Sequence, residues 1–164
     1  MKAKKTTLRI GEISSGTLKS IDLAESMVYA LQSLRLSKSE RSHVREAQRS
    51  IEAHNQADCG EETAETLNAL DYAVNESLFN AMNAHCPPYC YYGTLEGDGS
   101  CFGVWPSMDS IQQDMDDGEI LNLYGAGEDY AKGYSGYSVE VNDHGNMTLF
   151  RYSRGRRRVV WSIV

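Results

Sequence analysis

The sequence predicts an α+β protein, with helices first and a mostly antiparallel sheet after them. Apolar residues recur at helical spacing through the first half, and Pro87-Pro88 then breaks that period. Beyond the prolines, short alternating or aromatic-rich runs are separated by glycine-bearing turns. The expected layout is three N-terminal helices, then a sheet of about five to six strands with one short inserted helix. A chain of 164 residues, 41% hydrophobic and 24% charged, can bury one real core. Residues 1–164 therefore read as a single domain: 1–16 a tail or edge segment, 17–86 a helical half and 87–164 a sheet half.

In the opening segment, Leu8, Ile10 and Ile13 are the packing residues. Leu23, Met27, Ala30, Leu31 and Leu34 make one apolar stripe, which predicts a helix from about Ser20 to Leu36. Ser37-Lys38-Ser39-Glu40 has the form of a capping box and starts a second helix, to about Gln56, with Val44, Ala47 and Ile51 inward. Lys38, Arg41, Arg45 and Arg49 form a basic ridge on its other face, the ordinary pattern of a solvated helix. Leu67, Leu70, Val74, Leu78 and Met82 predict a third helix over Glu61 to Ala84, with Glu61, Glu62 and Glu65 at its favourable N-terminal end.

Tyr89 to Leu95 and Cys101 to Trp105 read as a hairpin around Glu96-Gly97-Asp98-Gly99-Ser100. Ser107 caps a short helix with Met108, Ile111 and Met115 inward and Gly118 closing it. Glu119 to Tyr124 is a strand, and residues 125–136 form a Gly/Tyr-rich loop. Tyr137, Val139 and Val141 alternate with polar residues as in a half-buried strand. After the turn Asp143-His144-Gly145-Asn146 come Met147 to Tyr152 and Arg158 to Val164, joined around Gly155.

Charge is segregated along the chain. Residues 1–49 carry ten Lys/Arg against five Asp/Glu, and residues 132–164 carry six against two. Residues 50–131 hold sixteen Asp/Glu and no Lys or Arg, within a net charge of −7. Asp114, Asp116, Asp117 and Glu119 crowd the end of the short helix, where the macrodipole disfavours each acid by about 0.3–1 kcal/mol. Stability alone would not select that arrangement, so an acidic binding surface is expected, extended by Glu96, Asp98, Asp109, Glu128 and Asp129. Tyr124, Tyr130, Tyr134 and Tyr137 lie in or beside the Gly-rich loop, where tyrosine serves equally as an interface anchor or as sheet packing.

Other chemistries are poorly supported. Cys86, Cys90 and Cys101, with Cys59, His85 or His144, lack zinc-site spacing, and Cys86 to Cys90 is not a redox C-x-x-C. Asp143-His144 has the composition of a tight turn rather than of an acid–base pair. Gly125-Ala126-Gly127 is followed by two carboxylates that would repel a phosphate. The expectation is therefore no enzyme, no metal and no cofactor. Arg154, Arg156, Arg157 and Arg158, together with the ridge from Lys38 to Arg49, offer an alternative nucleic-acid-binding surface. No run is long enough to span a bilayer and no secretory leader is evident, so a cytoplasmic protein with free thiols is expected.

Tyr91-Tyr92-Gly93 through Gly97-Asp98-Gly99, then Phe102-Gly103-Val104-Trp105-Pro106-Ser107, Gly118-Glu119-Ile120-Leu121, Val141 to Leu149 and Trp161-Ser162-Ile163-Val164 form a distinctive set, as does Gly11-Glu12-Ile13-Ser14-Ser15-Gly16-Thr17-Leu18. On these segments the chain resembles small uncharacterised accessory proteins encoded by phages and prophages. The resemblance implies an origin rather than an activity, and it carries no catalytic residues over. Small acidic proteins of that origin often inhibit host defence by occupying the basic channel of a nuclease or CRISPR effector. The expected function is accordingly anti-CRISPR or anti-restriction inhibition in the bacterial cytoplasm, through Asp109, Asp114, Asp116, Asp117, Glu119, Glu128, Asp129, Tyr130 and Tyr134. The expected partner is a basic host protein, with nucleic acid the lesser alternative and no membrane involved.

Overall fold

A computed structural model describes residues 6–57, 64–122 and 133–163. The fold is α+β, with two sheets in place of the one expected. Contacts divide the chain into two compact units, Met1–Cys86 with Cys90–Trp105, and Pro87–Tyr89 with Pro106–Val164.

In the first unit a strand precedes the helices. β1 (Gly11–Ser14) pairs antiparallel with β3 (Asp98–Pro106), which has β2 (Cys90–Leu95) on its other side. Gly103 faces Glu12 across this pairing, and a Cβ there would stand 2.5 Å from the Gly11 carbonyl oxygen, so only glycine permits the approach. α1 (Ser20–Gln32) buries Leu23, Met27 and Leu31, the predicted stripe. α2 (Lys38–Gln56) starts at the predicted capping box: Ser37 Oγ accepts from the Glu40 N–H at 3.2 Å, and Glu40 Oε2 accepts from the Ser37 N–H at 2.6 Å.

The third helical run is interrupted. α3 (Ala64–Tyr72) passes through one π-helical turn, Ala73–Ser77, into α4 (Leu78–Ala84). Leu70, Val74, Leu78 and Met82 are buried as expected, but Leu67 is 42% exposed. Residue 67 lies on the last full α-helical stretch before the π turn, so its position no longer repeats with the residues beyond it. The predicted helix start at 61–63 lies outside the described residues. The core of this unit joins Leu8, the α1 stripe, Val44 and Ala47 of α2, the α3–α4 stripe, Tyr92 and Val104.

In the second unit α5 (Met108–Asp116) precedes a four-stranded sheet of β4 (Ile120–Asn122), β5 (Gly136–Val141), β6 (Met147–Ser153) and β7 (Arg156–Ile163), in that spatial order. β4 and β5 are parallel, while β5–β6 and β6–β7 are antiparallel. The register aligns Tyr137, Arg151 and Arg158 on one face, with Val139, Leu149 and Trp161 as the next row. Trp161 anchors that row, its indole N–H donating to the Pro88 carbonyl at 2.8 Å. Phe150 and Tyr152 form the opposite layer, packed by Leu121 and Tyr134. β5 is therefore covered on both faces: Ser138, expected outward, is fully buried. Met108, expected inward, is 49% exposed at the first turn of α5, and Ile111 fills the core instead.

Candidate functional site

The acidic cluster is built by a short helix with well-formed ends. Ser107 Oγ caps α5 by accepting from the Ser110 N–H at 3.4 Å. At the other end Gly118 adopts φ +77°, the left-handed conformation that glycine reaches at no steric cost. Its N–H donates to the Met115 carbonyl at 3.1 Å, and the Glu119 N–H donates to the Asp114 carbonyl at 2.8 Å. This is a Schellman closure, and it fixes where the carboxylates after Met115 project.

The predicted acids then separate by role. Asp109 lies in the first turn, where the helix dipole favours it. Asp114 is half-buried and structural, because its Oδ2 accepts from the Tyr89 hydroxyl at 2.7 Å. Tyr89 holds a left-handed backbone (φ +60°) and packs edge-on against Tyr137 at 5.5 Å. Burial, the Asp114 hydrogen bond and nearby carboxylates push its hydroxyl pKa up to about 12. Asp116 is exposed and accepts from Gln112 Nε2 at 2.8 Å. Asp117 and Glu119 are exposed, and no described residue pairs with their carboxylates.

Asp117 and Glu119 are thus the acids that fold stability does not account for, and Asp116 stands exposed beside them with only the i, i+4 bond from Gln112. Tyr134 is half-buried; its hydroxyl donates to the Tyr137 carbonyl at 2.7 Å, with the Glu119 carbonyl at 3.3 Å, and its ring packs on Tyr152. Its hydroxyl and ring serve the sheet. Glu128, Asp129 and Tyr130 lie outside the described residues, as do Cys59 and the Gly125-Ala126-Gly127 run.

The arginines of β7 do not share one face. Arg154 and Gly155 form the two-residue hairpin tip, both at positive φ (52° and 72°). Arg157 lies opposite Tyr152, sits 4.1 Å above the Phe150 ring and pairs with Glu140 at 3.4 Å. Arg158 lies directly opposite Arg151, which covers the Tyr137 ring at 4.5 Å. Sequence reasoning missed Arg151. Its signal is the alternation Met147, Leu149, Arg151, which places it on the core-facing side of β6 at the hairpin end.

His144 and Asp143 are exposed in a turn organised by Asn142, whose Oδ1 accepts from the His144 and Asn146 N–H groups at 2.9 and 3.0 Å. Burial pushes the Cys86 thiol up to about 11 and the Cys90 thiol up to about 12, with Cys86 adding to the latter. Among the described residues no group of three or more His, Cys, Asp or Glu could hold a metal ion, and no helix is long and apolar enough to cross a membrane. The chain matches no protein-family model, and no curated protein or solved structure is significantly similar to it.

Proposed function

We propose that the protein is a stoichiometric inhibitor of a bacterial defence system, anti-CRISPR or anti-restriction in type, that binds a basic host protein through the acidic end of α5. The observation that carries this reading is the set Asp116, Asp117 and Glu119. These three carboxylates are exposed, lack a described cation partner, and stand at or just beyond the negatively polarised end of a helix. A nuclease or CRISPR effector presents a cationic nucleic-acid channel that such a cluster complements, with steering that accelerates encounter and weakens with salt. The reading requires no catalytic group.

The test is Asp116→Lys, Asp117→Lys and Glu119→Lys together, leaving Asp114 to hold Tyr89. Cations at a helix C-terminus are favourable by about 0.3–1 kcal/mol each, so the triple variant should be at least as stable as the wild type while losing its partner. Retention of partner affinity by the folded variant contradicts the reading.

A second reading, nucleic-acid binding through the β6–β7 hairpin, is favoured by Arg151 lying opposite Arg158, a like-charge pair that sheets ordinarily avoid. It predicts a gel shift at low salt that Arg156→Ala with Arg158→Ala abolishes; an unshifted probe with the wild-type protein eliminates it.

A further inference from the structure

Arg41 and Arg45, two residues of the basic ridge of α2, line a cavity that the acidic-face reading leaves unused. Between the end of α1 and the first turns of α2 lies a cleft of about 240 Å³. Buried Leu34, Leu36 and Val44 line it together with Arg35, Arg41 and Arg45, whose guanidinium-bearing side chains are exposed. Among the described residues no acidic one lines it. Of the two carboxylates adjacent in sequence to its arginines, Glu40 is occupied elsewhere, by the Ser37 N–H at 2.6 Å and by His85 Nε2 at 3.2 Å, and Glu46 is exposed and does not line it.

Arg41 is held in place, because one of its guanidinium nitrogens donates to the Leu36 carbonyl at 2.6 Å while its other N–H groups stay free. Arg35 and Arg45 have no partner among the described residues, so three arginines share the cleft with no described carboxylate paired to them. The positive end of the 19-residue α2 dipole lies beside them.

We propose that this cleft binds the phosphate of a nucleotide. Arg35, Arg41 and Arg45 take the phosphate oxygens, since guanidinium forks match that geometry, and the sugar or base rests on Leu34, Leu36 and Val44. Apolar floor and cationic rim together favour an organic phosphate over a bare anion. The phosphate can belong to a free nucleotide or to a strand, and Arg49 separates the two. It lies one ridge step beyond Arg45, about 6 Å further along the helix, outside the cleft. A strand reaches it and a free nucleotide does not.

The experiment titrates the full chain with AMP, with inorganic phosphate and with a short single-stranded oligothymidylate at low salt. The wild-type protein should bind AMP or the oligonucleotide at one site, more tightly than inorganic phosphate. Arg45→Ala and Arg35→Ala, exposed changes that remove no described hydrogen bond, should each weaken binding about tenfold or more. Lys19→Ala, which removes an exposed charge outside the cleft, should leave it unchanged. Tighter binding of the oligonucleotide that Arg49→Ala weakens assigns the phosphate to a strand, and AMP binding indifferent to Arg49→Ala assigns it to a free nucleotide. Three results overturn the proposal: no binding of either probe, binding indifferent to both cleft variants, or inorganic phosphate binding as tightly as AMP.

Discussion

Removing the Glu40 carboxylate tests how the helical unit is tied together. Glu40→Ala deletes the acceptor of the Ser37 N–H, at 2.6 Å, and the contact with His85 Nε2, at 3.2 Å. His85 is itself fixed, its Nδ1–H donating to the Thr6 carbonyl at 2.9 Å, so the carboxylate links the start of α2 to the end of α4 and the chain before β1. A net hydrogen bond contributes about 0.5–1.5 kcal/mol and a partly exposed ion contact about 0.2–1 kcal/mol, which sets the expected loss at about 1–2 kcal/mol. Urea denaturation followed by helical circular dichroism measures it, and Glu40→Gln, which keeps an acceptor but no charge, should lose less.

The pH dependence has a definite sign. Burial pushes the Glu40 carboxyl up, but hydrogen bonds from the Ser37 backbone and side chain and from His85 outweigh it, holding the pKa below its ordinary 4.5. A carboxyl whose folded pKa is depressed stabilises above its unfolded pKa and loses that contribution as pH falls through the folded value. The part of the gap that comes from the Ser37 N–H bond should therefore be full near neutral pH, the His85 contact adding to it once that ring is protonated, and the whole should shrink below about pH 4.5. Equal stabilities at neutral pH, or a gap that widens as pH falls below about 4.5, would contradict this.

Other positions give sharper single outcomes. The Ser138 hydroxyl is fully buried without a hydrogen-bond partner, so Ser138→Ala should raise stability by about 1 kcal/mol in denaturant titration. Arg154 occupies a left-handed turn position at φ +52°, and Arg154→Gly should relieve about 1 kcal/mol of strain, read in the same assay. The Cys86 and Cys90 thiols, pushed up to about 11 and about 12, should resist iodoacetamide at pH 8 in the folded protein and react once denatured.

What the sequence made legible was local. Ser37 and Glu40 announce α2 because a capping box is complete within four residues. Ser107 and Gly118 likewise bound α5, and the acids between and just after them are neighbours in space because they are neighbours in sequence. Distant pairing was not legible. β1 joins β3 by pairing such distant residues as Glu12 and Gly103, allowed by the missing Cβ of Gly103, and no short-range pattern announces that. The same limit explains Leu67, displaced by a π turn, and Ser138, buried because layers cover both faces of β5. Within the site, the Tyr89 hydroxyl claims Asp114, a bond between residues 25 apart. Arg35 and Arg151 gained meaning only from the cleft and the strand register around them.

The exposed carboxylates after Met115 are proposed to engage a basic partner. The most direct measurement compares what wild-type protein and the Asp116→Lys, Asp117→Lys, Glu119→Lys variant retain from a bacterial host lysate, at low and at high salt. A nuclease or CRISPR component should be retained stoichiometrically by the wild type, released by salt, and absent from the folded variant. Retention of the same protein by both, or of no protein by the wild type, would contradict it.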